Sequence, residues 1–568
     1  MTTTGADLFA DAIDQYGVDH LFGNPGTTEL PIVRALADRD VGYVLGLHED
    51  VAVGMAAGYA STRRYQSHEV GGPPDGVNPL GVVNLHITPG TAHGLGNVFA
   101  AEYSGVPLLV TAGNHERDFR TEEPILTGDL VSMTEPFTKW SDEVLSVEAV
   151  PRMVRRAVRT ALTPPTGPVF LALPMDVMRA ETDAGVEPLG QIPTAGRGDR
   201  AQLERAAELI ATGDDPVLVL GDGVARSGAV ADAVALAEAM GARVHPEIMA
   251  AEANFPEDHP QFVSHIPPDE EMASLLLDAR TIVFVGTSTN TTLMRHEGAI
   301  VPDDATCIHV SQDAWEVGKN QRADAAVIGD PGAVMAELAT LVEERLPADE
   351  RTARIQNVEA IATALEETVR SMGESERDES PLPSKAETVD ALRDVAPDAF
   401  LVDEGVTAKY ALMTRWPFEA GTFVGSKSGG LGYGLPAAVG AALAESQRPE
   451  TMEQETRDVV AHVGDGAYQY YPQAIFSAAR LDLDLTVVVQ NNRRYRILER
   501  NAAKLFGGTA DDQALPGMEL TPTIDVAANA ESYGASSFTI DRPAELESAF
   551  ERAIAEDGTT VVDVHVHD

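Results

Sequence analysis

The stretch VVAHVGDGAYQYYPQAIFSAARLDLDLTVVVQNN, Val459–Asn492, decides how the chain folds. It opens on a β-branched run and breaks at Gly464-Asp465-Gly466. Helix-like sequence follows, then a second apolar run, Leu485–Gln490, that ends at Asn491-Asn492. Strand, helix and strand in that order predict a βαβ unit of a parallel sheet. Parallel strands bring their C-terminal ends side by side, and open α/β sheets bind ligands there. Asp465 and Asn492 would stand together as oxygen donors suited to Mg²⁺ or Ca²⁺. Gly464 and Gly466 would let backbone N–H groups approach a phosphate where the next helix begins.

The chain supplies its own control. Gly221-Asp222-Gly223 repeats the tripeptide after the strand-like run Val217–Leu220. Twenty-four residues lie between Gly466 and Asn491, and the same interval after Gly223 reaches only Ile248-Met249. The second GDG therefore reads as a strand-ending turn.

Outward from this unit, strand and helix patterns alternate over nearly the whole chain, which predicts an α/β protein of three doubly wound parallel-sheet domains. The first spans 1–185, with apolar runs at Tyr43–Leu47, Gly81–Leu85 and Pro107–Thr111 and a polar loop at Tyr65–Pro79. Beyond the linker Glu181–Arg200 comes a second domain, 200–345. The acidic, proline-ended linker Ser371–Ser384 then leads to a third, 385–568.

Composition limits the partners. Across 568 residues, 41 Lys and Arg face 89 Asp and Glu, a net charge of −48. Nucleic acids and anionic membranes both need a basic surface, so neither is an expected partner. The only lysines are Lys139, Lys319, Lys385, Lys409, Lys427 and Lys504. Many carboxylates with so few lysines suit a salt-loaded cytoplasm such as a haloarchaeon's, where screening makes self-repulsion tolerable. Cys307 alone rules out a disulfide framework and points to a reducing compartment. The N-terminus lacks the basic and apolar regions of a signal peptide. Ser428–Ala444, interrupted by glycines and a proline, falls short of the roughly 20 residues a membrane helix needs. A cytoplasmic, soluble protein is expected.

Several segments, read in order, resemble thiamine-diphosphate (ThDP) enzymes of the benzoylformate decarboxylase and acetolactate synthase group. They are LFGNPGTTELP (Leu21–Pro31), LHEDVAVGMAAGYA (Leu47–Ala60), NLHITPGTAHGLGN (Asn84–Asn97), PLLVTAG (Pro107–Gly113), GGLGYGLPAAVGAALA (Gly429–Ala444) and the GDG–NN unit. The resemblance implies a pyrimidine-binding, a central and a diphosphate-binding domain. It also implies non-oxidative decarboxylation of a small 2-oxo acid through a C2 ylid, with ThDP and Mg²⁺ as cofactors and Ca²⁺ as the alternative ion. Active sites would lie between subunits of a homodimer or homotetramer, Glu49 and Asp465 of different chains serving one cofactor.

By the same resemblance, Glu49 is the glutamate that bonds the aminopyrimidine, and Asn24, Pro25 and Gly26 line that side. His86 handles protons on the substrate, and Thr27 offers a hydroxyl to its carboxylate. Gly429 accepts from the cofactor's amino group through its carbonyl, and Leu431 bends the cofactor. Gly464, Asp465, Gly466 and Asn492 hold the diphosphate and metal, with the Arg494 carbonyl as third metal ligand.

Departures bear on the substrate. A second histidine of the decarboxylases is absent from its register, with only His296 nearby. Aromatic positions around an aryl group are Gly425 and Asn501, and polar positions near the cofactor are Val406 and Lys409. Lys409 and Lys427 border the expected site, which suggests that one or both attract an anionic substrate group. Acetolactate synthase-like carboligation is the alternative reaction, and a non-catalytic ThDP-binding homologue is a further one. A flavin on the central domain, as acetolactate synthases carry, is not favoured; Val217–Gly223 and Thr281–Thr287 invite a dinucleotide-binding module, but neither carries GxGxxG opening a helix.

Overall fold

A computed structural model describes residues 3–73, 76–288, 294–372, 380–452, 456–513 and 515–567. Three parallel sheets form, as the alternation predicts. The N-terminal sheet contains β1 (His20–Gly23), β2 (Gly42–Leu45), β3 (Gly81–Leu85), β4 (Leu108–Asn114), β5 (Ser141–Glu143) and β6 (Val169–Pro174), in the order β2-β1-β3-β4-β6-β5. The central sheet contains β7 (Pro216–Leu220), β8 (Arg243–Pro246), β9 (Thr281–Val285), β10 (Thr306–Ser311) and β11 (Ala325–Ile328), in the order β8-β7-β9-β10-β11. In the C-terminal sheet, β12 (Phe400–Glu404), β13 (Val459–Gly464), β14 (Leu485–Asn491), β15 (Ser536–Ile540) and β16 (Thr559–His565) run β12-β13-β14-β16-β15. That order repeats β1-β3-β4-β6-β5, so the two terminal sheets share one winding.

The central strands are apolar on both faces, as sheets covered by helices on both sides must be. Residues Val82, Leu109 and Leu171 of the first sheet and Val460, Val487 and Val488 of the last are fully buried. Strand order reverses between β1 and β3 in the first sheet and between β7 and β9 in the second, which sets a crevice there, and β12 and β13 hold in the third sheet the places of β1 and β3. Those crevices are where such sheets bind ligands.

The chain divides into two compact units. One holds 1–193, 375–409 and 428–568, and the other holds 194–374 and 410–427. In the first unit α1 (Glu49–Val70) packs on α3 (Gly434–Ser446), and their crossing depends on two glycines. A Cβ at Gly58 would lie 1.9 Å from the Ala437 carbonyl oxygen, and one at Gly440 would lie 1.9 Å from that of Met55. The backbones thus touch, and larger residues would force them apart.

One loop reading changes. Tyr65–Val70, expected in a loop, completes α1, which stops at Gly71 with φ 92°. The glycine pair after it, not the polar residues before it, ends the helix. The linker Ser371–Ser384 falls largely outside the described residues.

Candidate active site

Backbone strain marks the strand ends. Ile87, Val406 and Arg493 have φ of 36°, 44° and 61°, each two residues past the end of β3, β12 or β14. Two of them are β-branched, for which a positive φ is a true outlier, and such strain gathers at functional sites.

At the C-terminal crevice the GDG and NN turns meet. Asp465 Oδ1 accepts from Gly466 N at 2.8 Å and Oδ2 from Arg493 N at 2.6 Å. Burial pushes this carboxyl up to about 6, and the two N–H bonds offset that only in part. Asn492 Oδ1 accepts from Arg494 N at 3.2 Å. Arg494 faces Glu519 as an isolated bridge, flanked by Leu520 N to Arg493 O and Tyr495 N to Met518 O, both 2.8 Å. That makes it a non-hydrogen-bonded pair, so the Arg494 N–H and C=O point away from Glu519, toward the Asn492 side. A carboxylate, an amide and a carbonyl oxygen form a hard-donor set that fits Mg²⁺ or Ca²⁺. A buried carboxyl held toward its neutral form is what such an ion would relieve.

The glycine loop before α3 hangs from Glu404, which sequence reasoning missed. Its carboxylate accepts from Gly432 N, Tyr433 N and Gly434 N at 2.8, 3.2 and 2.9 Å. Burial lifts it to about 7 despite those bonds. Gly429, with φ 73°, is exposed in this loop, and Leu431 is half-buried.

At the N-terminal crevice another missed glutamate organises the site. Glu29 is fully buried. It accepts from Gly26 N (3.1 Å), Thr28 Oγ1 (2.6 Å), Ile87 N (3.3 Å) and Gly113 N (3.0 Å), and it pairs with His86 Nδ1 at 2.8 Å. A carboxylate only accepts, so Nδ1 carries the proton and Nε2 is left for substrate. A Cβ at Gly26 would sit 2.0 Å from His86 Nδ1, so only glycine lets the Asn24–Gly26 turn close over the imidazole. Thr27 is exposed, and the neighbouring Thr28, not Thr27, lies against Glu29. The clue was in the sequence: Glu29 stands three residues past Gly26, where a glutamate can bond back to the turn.

Glu49 opens α1 and is buried, with His93 Nδ1 3.3 Å from its Oε2. The next residue, Asp50, accepts from Asn97 N (2.7 Å) and Tyr471 Oη (2.8 Å), while Asn97 Nδ2 donates to the Gly432 carbonyl at 3.3 Å. These bonds tie the Glu49 turn to the loop that Glu404 anchors.

The lysine expectation needs correction. Lys427 is buried, its ammonium 2.6 Å from both Asp222 Oδ2 and Glu247 Oε1, and two carboxylates leave it no spare charge for substrate. Lys409 lies 4.0 Å from Asp403 Oδ2. Asp403 also pairs with His462 at 2.8 Å, and His462 reaches Gln490 at 2.9 Å, a buried polar chain beneath the crevice. His296 Nε2 lies 3.2 Å from the Pro268 carbonyl. Gly425 N donates to the Ala251 carbonyl at 2.7 Å, and Asn501 lies on the helix Arg496–Phe506.

Three family profiles match in the order of the sheets. They are described as the N-terminal TPP binding domain of thiamine pyrophosphate enzymes (residues 3–133), their central domain (203–338) and their C-terminal TPP binding domain (405–564). Benzoylformate decarboxylase of Pseudomonas aeruginosa is 31% identical over 564 residues, covering 98% of this chain and 97% of that protein. The chain belongs to the thiamine pyrophosphate enzyme family. Within it, an acetolactate synthase of Arthrospira platensis is 26% identical over 591 residues, covering 99% of this chain and 94% of that one. The solved thiamine diphosphate-dependent 4-hydroxybenzoylformate decarboxylase of Rhodococcus jostii superposes with a TM-score of 0.83 at 28% identity, covering 100% of this chain and 99% of that one. The family thus has decarboxylase and synthase relatives of this chain, and both ThDP-binding domains are present. Among the described residues, no helix is long and apolar enough to cross a membrane.

Proposed function

We propose that this chain is a ThDP- and Mg²⁺-dependent enzyme that decarboxylates a 2-oxo acid without oxidation, in the manner of benzoylformate decarboxylase. The observation that carries the reading is the Glu29–His86 pair, 2.8 Å apart, at the crevice between β1 and β3. Bound ThDP supplies the carbon nucleophile and the electron sink that CO₂ loss needs. Asp465, Asn492 and the Arg494 carbonyl would hold the metal, and Gly464 and Gly466 the diphosphate. The Gly429 carbonyl and Leu431 would hold the ring system, with Asn24, Pro25 and Gly26 lining it. Glu49 would hold or release a proton at its carboxylate, beside the place the aminopyrimidine would take. His86, its Nδ1 proton fixed by Glu29, gives and takes a proton at Nε2 as the substrate carbonyl reacts. Thr27 offers its hydroxyl to the substrate carboxylate.

Domains at 1–185, 200–345 and 385–568, a homodimer or homotetramer with shared active sites, and a salt-loaded cytoplasm complete the proposal. A flavin is disfavoured, because the amides of the central crevice serve the protein's own acids. Asp222 N and Ser288 N donate to Glu247, and Ala251 N and Glu252 N donate to Asp222. Acetolactate synthase-like carboligation is the second reading, favoured by Gly425 and Asn501 at positions that enclose an aryl group in the decarboxylases. Pyruvate, branched-chain, aryl and dicarboxylic 2-oxo acids, supplied with ThDP and Mg²⁺ in high salt, separate the two readings. Aldehyde supports decarboxylation and acyloin supports carboligation. Glu49→Gln should lower turnover about 100-fold or more while the melting temperature holds, and unchanged turnover would remove Glu49 from its role.

A further inference from the structure

Among the described residues, His93 is the one hydrogen-bonding partner of the Glu49 carboxylate, at 3.3 Å. It lies on α2 (Ile87–Tyr103), the helix that His86 caps, seven positions after that cap. Gly90 separates the two histidines. A Cβ there would come within 2.9 Å of Glu49 Oε1 and 3.0 Å of His86 Cβ, so glycine lets both side chains approach the helix. The Glu49 side chain is 10% exposed and that of His93 is 58% exposed. Within one chain, a buried carboxyl thus touches an imidazole on the chain's outer face.

The groups facing His93 are few. His48 stacks on its ring at 5.3 Å, Glu49 bonds it, and Asp50 senses it through space. Tyr471 stands behind His48 at 5.1 Å. The donor atoms of His48, Glu49 and His93 all lie within 4.8 Å of one another, close enough to suggest a metal. However, His48 Nδ1 accepts from Asp50 N at 3.1 Å. Neutral His48 then carries its proton on Nε2, and neither nitrogen has a lone pair to give. The trio is arranged for protons instead.

We propose that His93 is a positioning residue that sets the protonation of Glu49 and exchanges its proton with solvent. The step balances simply: the proton leaves Glu49 Oε2 for His93 Nδ1, giving carboxylate and imidazolium, and the imidazolium releases a proton from Nε2 to water. Run in reverse, it delivers the one proton that converting a 2-oxo acid anion to aldehyde and CO₂ consumes. The inference rests on the proposed role of Glu49, but not on which 2-oxo acid is the substrate.

The test begins with cofactor-free protein carrying [¹³Cε1]-histidine, the His93 signal assigned from His93→Asn. A neighbouring carboxylate favours imidazolium, so Glu49→Gln should lower the proton affinity of His93 at least threefold. An unchanged midpoint would overturn the pairing. The second readout uses ThDP and Mg²⁺ in D₂O without substrate, following exchange of the cofactor C2 hydrogen after acid quench. His93→Asn should slow exchange about tenfold and remove one ionisation from its pH profile. Exchange with an unchanged rate and pH profile would overturn the relay. Failure of every 2-oxo acid would count against the decarboxylase reading and leave these two results readable.

Discussion

Asp222 and Asp465 occupy the same place in two copies of one tripeptide, each at the end of a parallel strand beside its sheet's crevice, yet they face opposite electrostatic conditions. Asp222 is enclosed by its own unit. It accepts from Ala251 N, Glu252 N and Asn254 Nδ2 at 3.0–3.2 Å and pairs with Lys427 at 2.6 Å. Burial alone would push its carboxyl up, but Lys427 and Arg226 hold it well below the usual carboxylate range. Asp465 has two backbone donors and, among the described residues, no salt bridge; the charge of buried Lys385 reaches it through space, yet burial still drives it up to about 6. One acid is finished by the chain, and the other is left for a cation to finish. A buried charge with its partner supplied serves structure, whereas one without a partner marks a ligand site.

The largest effect that could break this comparison is at Lys427. Lys427→Met strands two buried carboxylates, and breaking such a pair costs about 3–5 kcal/mol. Denaturant melts of the variant should show that loss, and a melt matching the parent would mean the triad does not hold charge. Asp465→Asn should act with the opposite sign. In cofactor-free protein at pH 7 it should stabilise by about 1–2 kcal/mol. That is less than the roughly 3 kcal/mol implied by a rise from 3.8 to about 6, because an amide keeps only one of the two acceptors.

Acidity sharpens the contrast with a smaller effect. Asp465 and Asp50 are raised to about 6 and Glu404 to about 7, so these three carboxyls bind more protons in the folded chain than in the unfolded one from about pH 4 to 7, while His245 and His309, pushed down by burial, bind fewer. The contribution of these carboxyls should therefore fall as pH rises through that window, read as the difference between the parent and Asp465→Asn for the Asp465 part, which Mg²⁺ with ThDP should flatten. Asp222, held low, works the other way: its contribution is present at neutral pH and disappears only in acid. Melting temperature against pH, with and without cofactor, measures both slopes.

The architecture was legible because short continuous apolar runs and helix-like segments alternate along the chain, and GDG–NN marked the strand ends of the last sheet. The identity of a strand-ending acid was legible too. Its partners were not, because they come from distant sequence. Lys427 reaches Asp222 across 205 positions, and nothing local to KSGG shows that. Glu29 and Glu404 were missed for a related reason: each serves backbone N–H groups, which any residue can present. The end of α1 was misjudged because polar composition says little about where a helix stops, whereas a positive-φ glycine says much.

The most direct measurement is calorimetric titration of Mg²⁺ and ThDP into the cofactor-free protein and its Asp465→Asn variant in high salt. The account predicts one cofactor bound per chain in the parent and binding weakened at least 100-fold in the variant. Equal binding in both would place the metal elsewhere and end the distinction between the two GDG turns.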